Sequence, residues 1–140
     1  MTGEETDMHA DTKTISIDVD PEKVFRFVAD PAHLPRWAVG FAKAVRRDGD
    51  AWRVTTAAGE VAVRVRADPA SGVVDFVMSP APGVEVTASS RVLARGPAAE
   101  YVFTQVQAPG MSDDAFTRSA AAVAHELTVL KALLEVDCPA

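Results

Sequence analysis

Three polar residues on alternating strand positions, Ser90, Tyr101 and Gln105, are the groups this sequence places where they could meet a bound molecule. A hydroxyl, a phenol and an amide can orient a neutral ligand in an apolar pocket, and a tyrosine can also move a proton. Such groups can equally be satisfied by hydrogen bonds inside a core. A second set, Arg64, Asp75, Arg91 and Glu100, resembles a charged catalytic cluster, with Asp75 and Glu100 as acid–base candidates if they point inward. Other chemistries lack their residues. His9, His33 and His125 are scattered over a polar N-terminal stretch, a short helix and the last helix. With no HExxH, no cysteine pair and no carboxylate cluster, neither a metal nor a cofactor is expected. Cys138 is the single cysteine, so no internal disulfide is expected, and no base is positioned beside it. There is no phosphate-cradling glycine loop and no Gly-x-Ser-x-Gly elbow. No catalytic residue is assigned.

The elements that must position Ser90, Tyr101 and Gln105 follow from the pattern of the chain. KTISIDV, residues 13–19, alternates with Ile15, Ile17 and Val19 on one face, as a half-buried strand does. Asp20-Pro21 and Asp30-Pro31 each read as an N-cap followed by proline at the first helical position. Two short helices follow, the first with Val24, Phe27 and Val28 on one face, the second running through Leu34 and limited by Pro35. Strand patterns recur at 41–48, 52–56, 61–67, 73–78, 84–95 and 99–107, with short turns between them, which predicts a seven-stranded antiparallel meander. Ser112 caps a final helix of roughly 22 residues, ~33 Å long. Asp113 and Asp114 suit its positive end, and Phe116, Ala120, Val123, Leu127, Leu130 and Leu134 form one apolar stripe.

The alternation assigns the two faces of the sheet. Trp52, Val54, Val61, Val63, Val65, Val74, Phe76, Met78, Val84, Val86, Ala88, Ser90 and Val92 fall inward. In the last strand Tyr101, Phe103 and Gln105 are placed inward, although Val102 and Val106 would serve almost as well. Arg53, Arg64, Arg66, Asp75, Arg91 and Glu100 then fall outward, where opposite charges on neighbouring strands stabilise the sheet by a few tenths of a kcal/mol each. Small inward residues leave room between the sheet and the last helix. The candidate ligand-binding residues are Trp37, Phe41, Trp52, Val63, Phe76, Met78, Ser90, Tyr101, Phe103, Gln105, Val123 and Leu127.

Composition bounds the rest. A chain of 140 residues with 48% hydrophobic and 24% charged residues suits one globular domain, taken as residues 13–137 after a flexible tail, 1–12. The net charge of −6 with 14 basic residues argues against nucleic acid. No apolar run is long enough for a membrane span, so no membrane partner is expected, and a cytoplasmic location is the default. A homodimer is compatible with the reading.

ISIDVDPEKVFRFVADPAHLPRWAVGF, GVVDF and EYVFTQVQAPGMSDDAF with ELTVLKALLE resemble the SRPBCC superfamily, also called START-like or helix-grip proteins, and within it the polyketide cyclase/dehydrase-like group. The resemblance runs from about residue 13 to residue 136. It implies an α+β helix-grip fold: a seven-stranded antiparallel sheet curved around a long C-terminal helix, two short helices between strands 1 and 2, and a hydrophobic cavity. Three functions follow as expectations: binding of a small apolar or aromatic molecule, an enzyme cyclising, dehydrating or isomerising such a molecule, or a protein-interaction module like the family's chaperone activators.

Overall fold

The computed structural model describes residues 8–137, so Cys138 lies outside the described residues. The elements run β1 (Ala10–Ile17), α1 (Pro21–Val28), a 3-10 turn (Pro31–His33) passing directly into α2 (Leu34–Trp37), β2 (Ala44–Asp48), β3 (Ala51–Thr56), β4 (Gly59–Asp68), β5 (Val73–Ala81), β6 (Val84–Arg95), β7 (Ala98–Val106) and α3 (Asp113–Asp137). The seven strands form one antiparallel sheet in the order β1-β7-β6-β5-β4-β3-β2. This is the helix-grip architecture.

Local chemistry builds these elements. Asp20 Oδ1 accepts from Glu22 N–H at 2.8 Å and Asp30 Oδ1 from Ala32 N–H at 3.0 Å, so both Asp-Pro pairs act as caps. Pro35 does not end the second helix. It sits in the first turn of α2, where its missing N–H costs nothing, and the helix continues to Trp37. The first strand begins at Ala10, so Ala10–Thr12 belong to the sheet rather than to a tail. His9 is held as well: its N–H donates to Gln107 Oε1 at 3.0 Å and its carbonyl accepts from Gln107 N–H at 2.8 Å.

The predicted faces hold. Val54, Val63, Val74, Phe76, Ala88, Val92 and Tyr101 are buried with α3 residues Val123, Leu127, Leu130 and Leu134. Val84 is the exception, 37% exposed where β6 begins, opposite Ala81 and beyond a register shift between Met78 and Ala81. The outer charges pair as Arg64–Glu85 and Arg53–Asp48, both at 2.9 Å, and Arg46–Glu60 at 3.2 Å. Glu100 accepts from Ser16 Oγ at 2.6 Å and from Thr14 Oγ1, and these hydrogen bonds hold its carboxyl below the usual range. It serves to join β1 to β7.

At 25 residues α3 is three longer than expected. Side chains pin it at both ends. The buried Gln107 donates through Nε2 to Met111 O at 2.7 Å and to Asp113 Oδ1 at 2.9 Å, fixing the entry to the helix. Near its far end, Lys131 Nζ donates to Ser16 O at 2.7 Å, and Glu135 accepts from Asp18 N–H at 2.9 Å. Between these anchors the helix carries the small residues Ser119 and Ala122 toward the sheet.

Candidate functional site

A cavity of about 380 Å³ lies beneath that middle stretch of α3. It exists because the residues facing each other across it are small: Ser119 and Ala122 on the helix, Ala88 on β6. Aromatic side chains form much of its wall. Trp37 is tilted against Phe76 at 6.5 Å between ring centroids, and Phe76 against Phe103 at the same distance. Val63, Met78 and Val123 complete the apolar wall, and Leu34, Ala38, Gly40 and Phe41 close the end nearest α2. Two exposed residues, Gly40 and Arg118, stand among the lining residues, so the cavity reaches the surface beside them.

Eight of the twelve candidate residues line this space: Trp37, Phe41, Val63, Phe76, Met78, Phe103, Gln105 and Val123. Trp52, Ser90, Tyr101 and Leu127 do not. Trp52 lies on the correct face but on β3, toward the sheet edge, with the Arg47 guanidinium over its ring at 5.2 Å. Ser90 Oγ donates to Val74 O at 2.6 Å, a structural bond. Tyr101 is fully buried behind Trp37, edge-to-face at 6.3 Å, and burial pushes its phenol well above its ordinary pKa. Leu127 packs in the main core. Asp75 and Glu100, the carboxylates considered as acid–base groups, belong to the outer face.

Gln105 Nε2 donates to Ser119 Oγ at 2.9 Å, joining β7 to α3 across one side of the cavity. Its Oε1, Trp37 Nε1 and Tyr101 Oη are buried without a hydrogen-bond partner among the described residues. His33 is half-buried: its ring stacks on Phe27 at 4.1 Å and its Nδ1–H donates to Phe27 O at 2.9 Å. Among the described residues no three His, Cys, Asp or Glu side chains converge to hold a metal ion.

One site residue escaped sequence reasoning. Glu126 is 6% exposed and lines the cavity, and Gly40 N–H donates to its Oε2 at 2.9 Å. Burial drives its carboxyl up to about 7, although the Gly40 and Phe41 amides pull the other way. A carboxyl that titrates near neutrality in an apolar wall can give or take a proton under ordinary conditions. The available signal was its spacing: Ser119, Ala122 and Glu126 recur at three and four residues, in a row beside the leucine stripe.

The sequence profile of a family described as polyketide cyclase / dehydrase and lipid transport matches residues 8–135. The chain belongs to this family. No curated protein sequence matches it significantly. As a member of the polyketide cyclase/dehydrase and lipid transport family, it shares its fold with several solved structures. The protein XoxI from Bacillus cereus superposes with a TM-score of 0.73 at 16% identity, covering 93% of this chain and 97% of that one. The Aha1 dimer from Colwellia psychrerythraea gives 0.72 at 18% identity, over 94% and 100%. The di-domain ARO/CYC BexL from the BE-7585A biosynthetic pathway gives 0.69 at 22% identity, over 91% of this chain and 47% of that one. At these identities the likeness is one of fold. Among the described residues, no helix is long and apolar enough to cross a membrane.

Proposed function

We propose that this protein binds a small apolar or aromatic molecule in the cavity between the sheet and α3. The observation that carries the reading is the cavity itself: about 380 Å³, walled by Trp37, Phe76, Phe103 and aliphatic side chains. That volume is within the range of small-molecule sites, and at roughly 30 Å³ per water it would hold about a dozen waters that an apolar ligand could displace. The family description, joining cyclase and dehydrase activity with lipid transport, supports the reading, since each requires a molecule held inside the protein. The test is native mass spectrometry of freshly purified protein with denaturing extraction, and fluorescence titration with the neutral dye phenylnaphthylamine. A co-purifying apolar molecule or saturable one-to-one dye binding is expected. A clean apo mass together with no saturable dye binding would end the reading.

A second reading, an enzyme acting on such a molecule, is favoured by Glu126, an ionisable group on the cavity wall. The interaction-module reading draws no support from the outer face, where paired charges stand instead of an apolar patch.

A further inference from the structure

Arg118 lines the cavity where it reaches the surface, and among the described residues it makes neither an ion pair nor a hydrogen bond. The helix offers it a partner. Asp114 lies one turn before it, and an acid four residues ahead of a base is the favoured order. Glu22–Arg26 at 3.2 Å is such a pair, and Lys131–Glu135 at 2.6 Å forms even in the reverse order. Arg118 passes over this contact and stands on the cavity wall. Its neighbour Ser119 is on the wall too, where Ser119 Oγ accepts from Gln105 Nε2 at 2.9 Å. A hydroxyl that accepts in this way keeps its own proton to donate. The other charged lining residue is Glu126, two turns further on and ~12 Å away along the helix axis. The amides of Gly40 and Phe41 engage its carboxylate, so it does not serve as the counter-ion of Arg118.

We propose that the molecule held in the cavity is an aromatic monoacid, with its ring among Trp37, Phe76 and Phe103 and its carboxylate at the surface end on Arg118 and Ser119. The inference rests on the reading that the cavity holds a ligand, and adds the charge that this ligand carries. Three features select the class. Aromatic side chains on the wall suit a flat ring. The guanidinium fork matches the two oxygens of a carboxylate, and the Ser119 hydroxyl adds a third donor beside it. The position of Arg118 at the surface leaves the acid group partly in water, so only the ring gives up its hydration and the burial of a charge is avoided. A neutral ligand would use the aromatic wall and leave Arg118 without a partner. The net charge of −6 disfavours an anion over the molecule as a whole, so a preference for one requires a local cation such as this.

The test compares two dyes with one aromatic skeleton: phenylnaphthylamine, which is neutral, and anilinonaphthalene sulfonate, whose sulfonate stands for the carboxylate. Each is titrated by fluorescence into the full chain, and the second is also used to displace the first. The sulfonate dye is expected to bind at least about tenfold more tightly and to displace the neutral one. Raising the salt concentration should weaken the sulfonate dye and leave phenylnaphthylamine unchanged, because only the first depends on a charge exposed to solvent. Arg118→Gln should abolish the tenfold preference while phenylnaphthylamine binds as before. The salt series needs no variant, so misfolding of Arg118→Gln cannot decide the outcome. Equal affinities for the two dyes, a preference that salt does not reduce, or a preference kept in folded Arg118→Gln overturns the assignment and leaves ligand binding standing. An equal loss of both dyes in folded Arg118→Gln also overturns it, since Arg118 would then act by packing alone. Failure to bind either dye removes both readings.

Discussion

Gly40 and Glu126 are in a contact that only glycine permits without displacement. A Cβ at position 40 would stand 3.0 Å from Glu126 Oε2 and 3.2 Å from Ala122 Cβ, closer than side-chain carbons settle. The short approach lets the Gly40 amide reach the carboxylate at 2.9 Å. Gly40→Ala should therefore push the loop after α2 away from α3 and lengthen that bond. Overpacking costs about 1–3 kcal/mol, against which a gain of about 0.4–1 kcal/mol from the less flexible unfolded chain works. A net loss of about 1 kcal/mol in urea denaturation is expected. An unchanged or raised midpoint would show that the contact is not tight in solution.

The carboxyl of Glu126 also sets a pH dependence of stability. It titrates at an ordinary value of 4.5 when unfolded and at about 7 when folded, because burial disfavours the charge. Between these values the folded state holds the proton that the unfolded state has released, so stability falls as pH rises through this window. The full effect is at most about 3 kcal/mol, from about 1.36 kcal/mol per unit. Glu126→Gln removes the ionisation and keeps an oxygen for the Gly40 amide. Denaturation measured from about pH 5 to about pH 8 should show the wild type losing stability while the variant stays flat on this account, the variant being more stable above about pH 7. Parallel curves for the two proteins would contradict this.

The sheet and most of its faces were legible because alternation has only two outcomes per strand and a charge on one face decides between them, whereas in β7 Val102 and Val106 served almost as well as Tyr101, Phe103 and Gln105. VAVRVRA could only place Val63 inward and Arg64 outward. Depth along the sheet was not legible, for alternation says nothing of what lies opposite. Trp52 and Phe76 share a face, yet only Phe76 faces the void under α3, while Trp52 lies beneath Arg47 near the edge. Glu126 was missed for a related reason. A glutamate beside Leu127 reads as the polar border of a helix, and it becomes a buried group only once the loop bearing Gly40 closes over it. The caps at Asp20 and Asp30 were readable because they depend on two or three consecutive residues alone.

The cavity can be filled from the sheet side. Ala88 is 5% exposed and lies on the wall opposite α3. Ala88→Leu should extend its side chain into space already empty and so change stability by less than about 1.5 kcal/mol. Phenylnaphthylamine affinity should fall at least about tenfold, or about 1.4 kcal/mol. Undiminished dye binding in a folded Ala88→Leu protein would mean that the dye sits elsewhere.

A last prediction separates backbone strain from steric overlap. Gly72 and Gly83 both have left-handed backbones, with φ of 81° and 75°. A Cβ at Gly83 meets nothing within 4 Å, whereas at Gly72 it would lie 2.2 Å from the Val92 carbonyl oxygen. That oxygen cannot swing aside, because Val92 N–H is itself bonded to Gly72 O at 2.9 Å and its strand is paired with β5 and β7. Gly83→Ala should cost about 1–2 kcal/mol, the penalty for an L-residue in this conformation. Gly72→Ala carries the same penalty and must also part the turn from β6, so it should lose more than about 4 kcal/mol, an exceptional value for one methyl group. Melting both variants beside the wild type measures the difference. Equal losses would mean that the turn after β4 moves freely and does not brace the strand carrying Ala88 on the cavity wall.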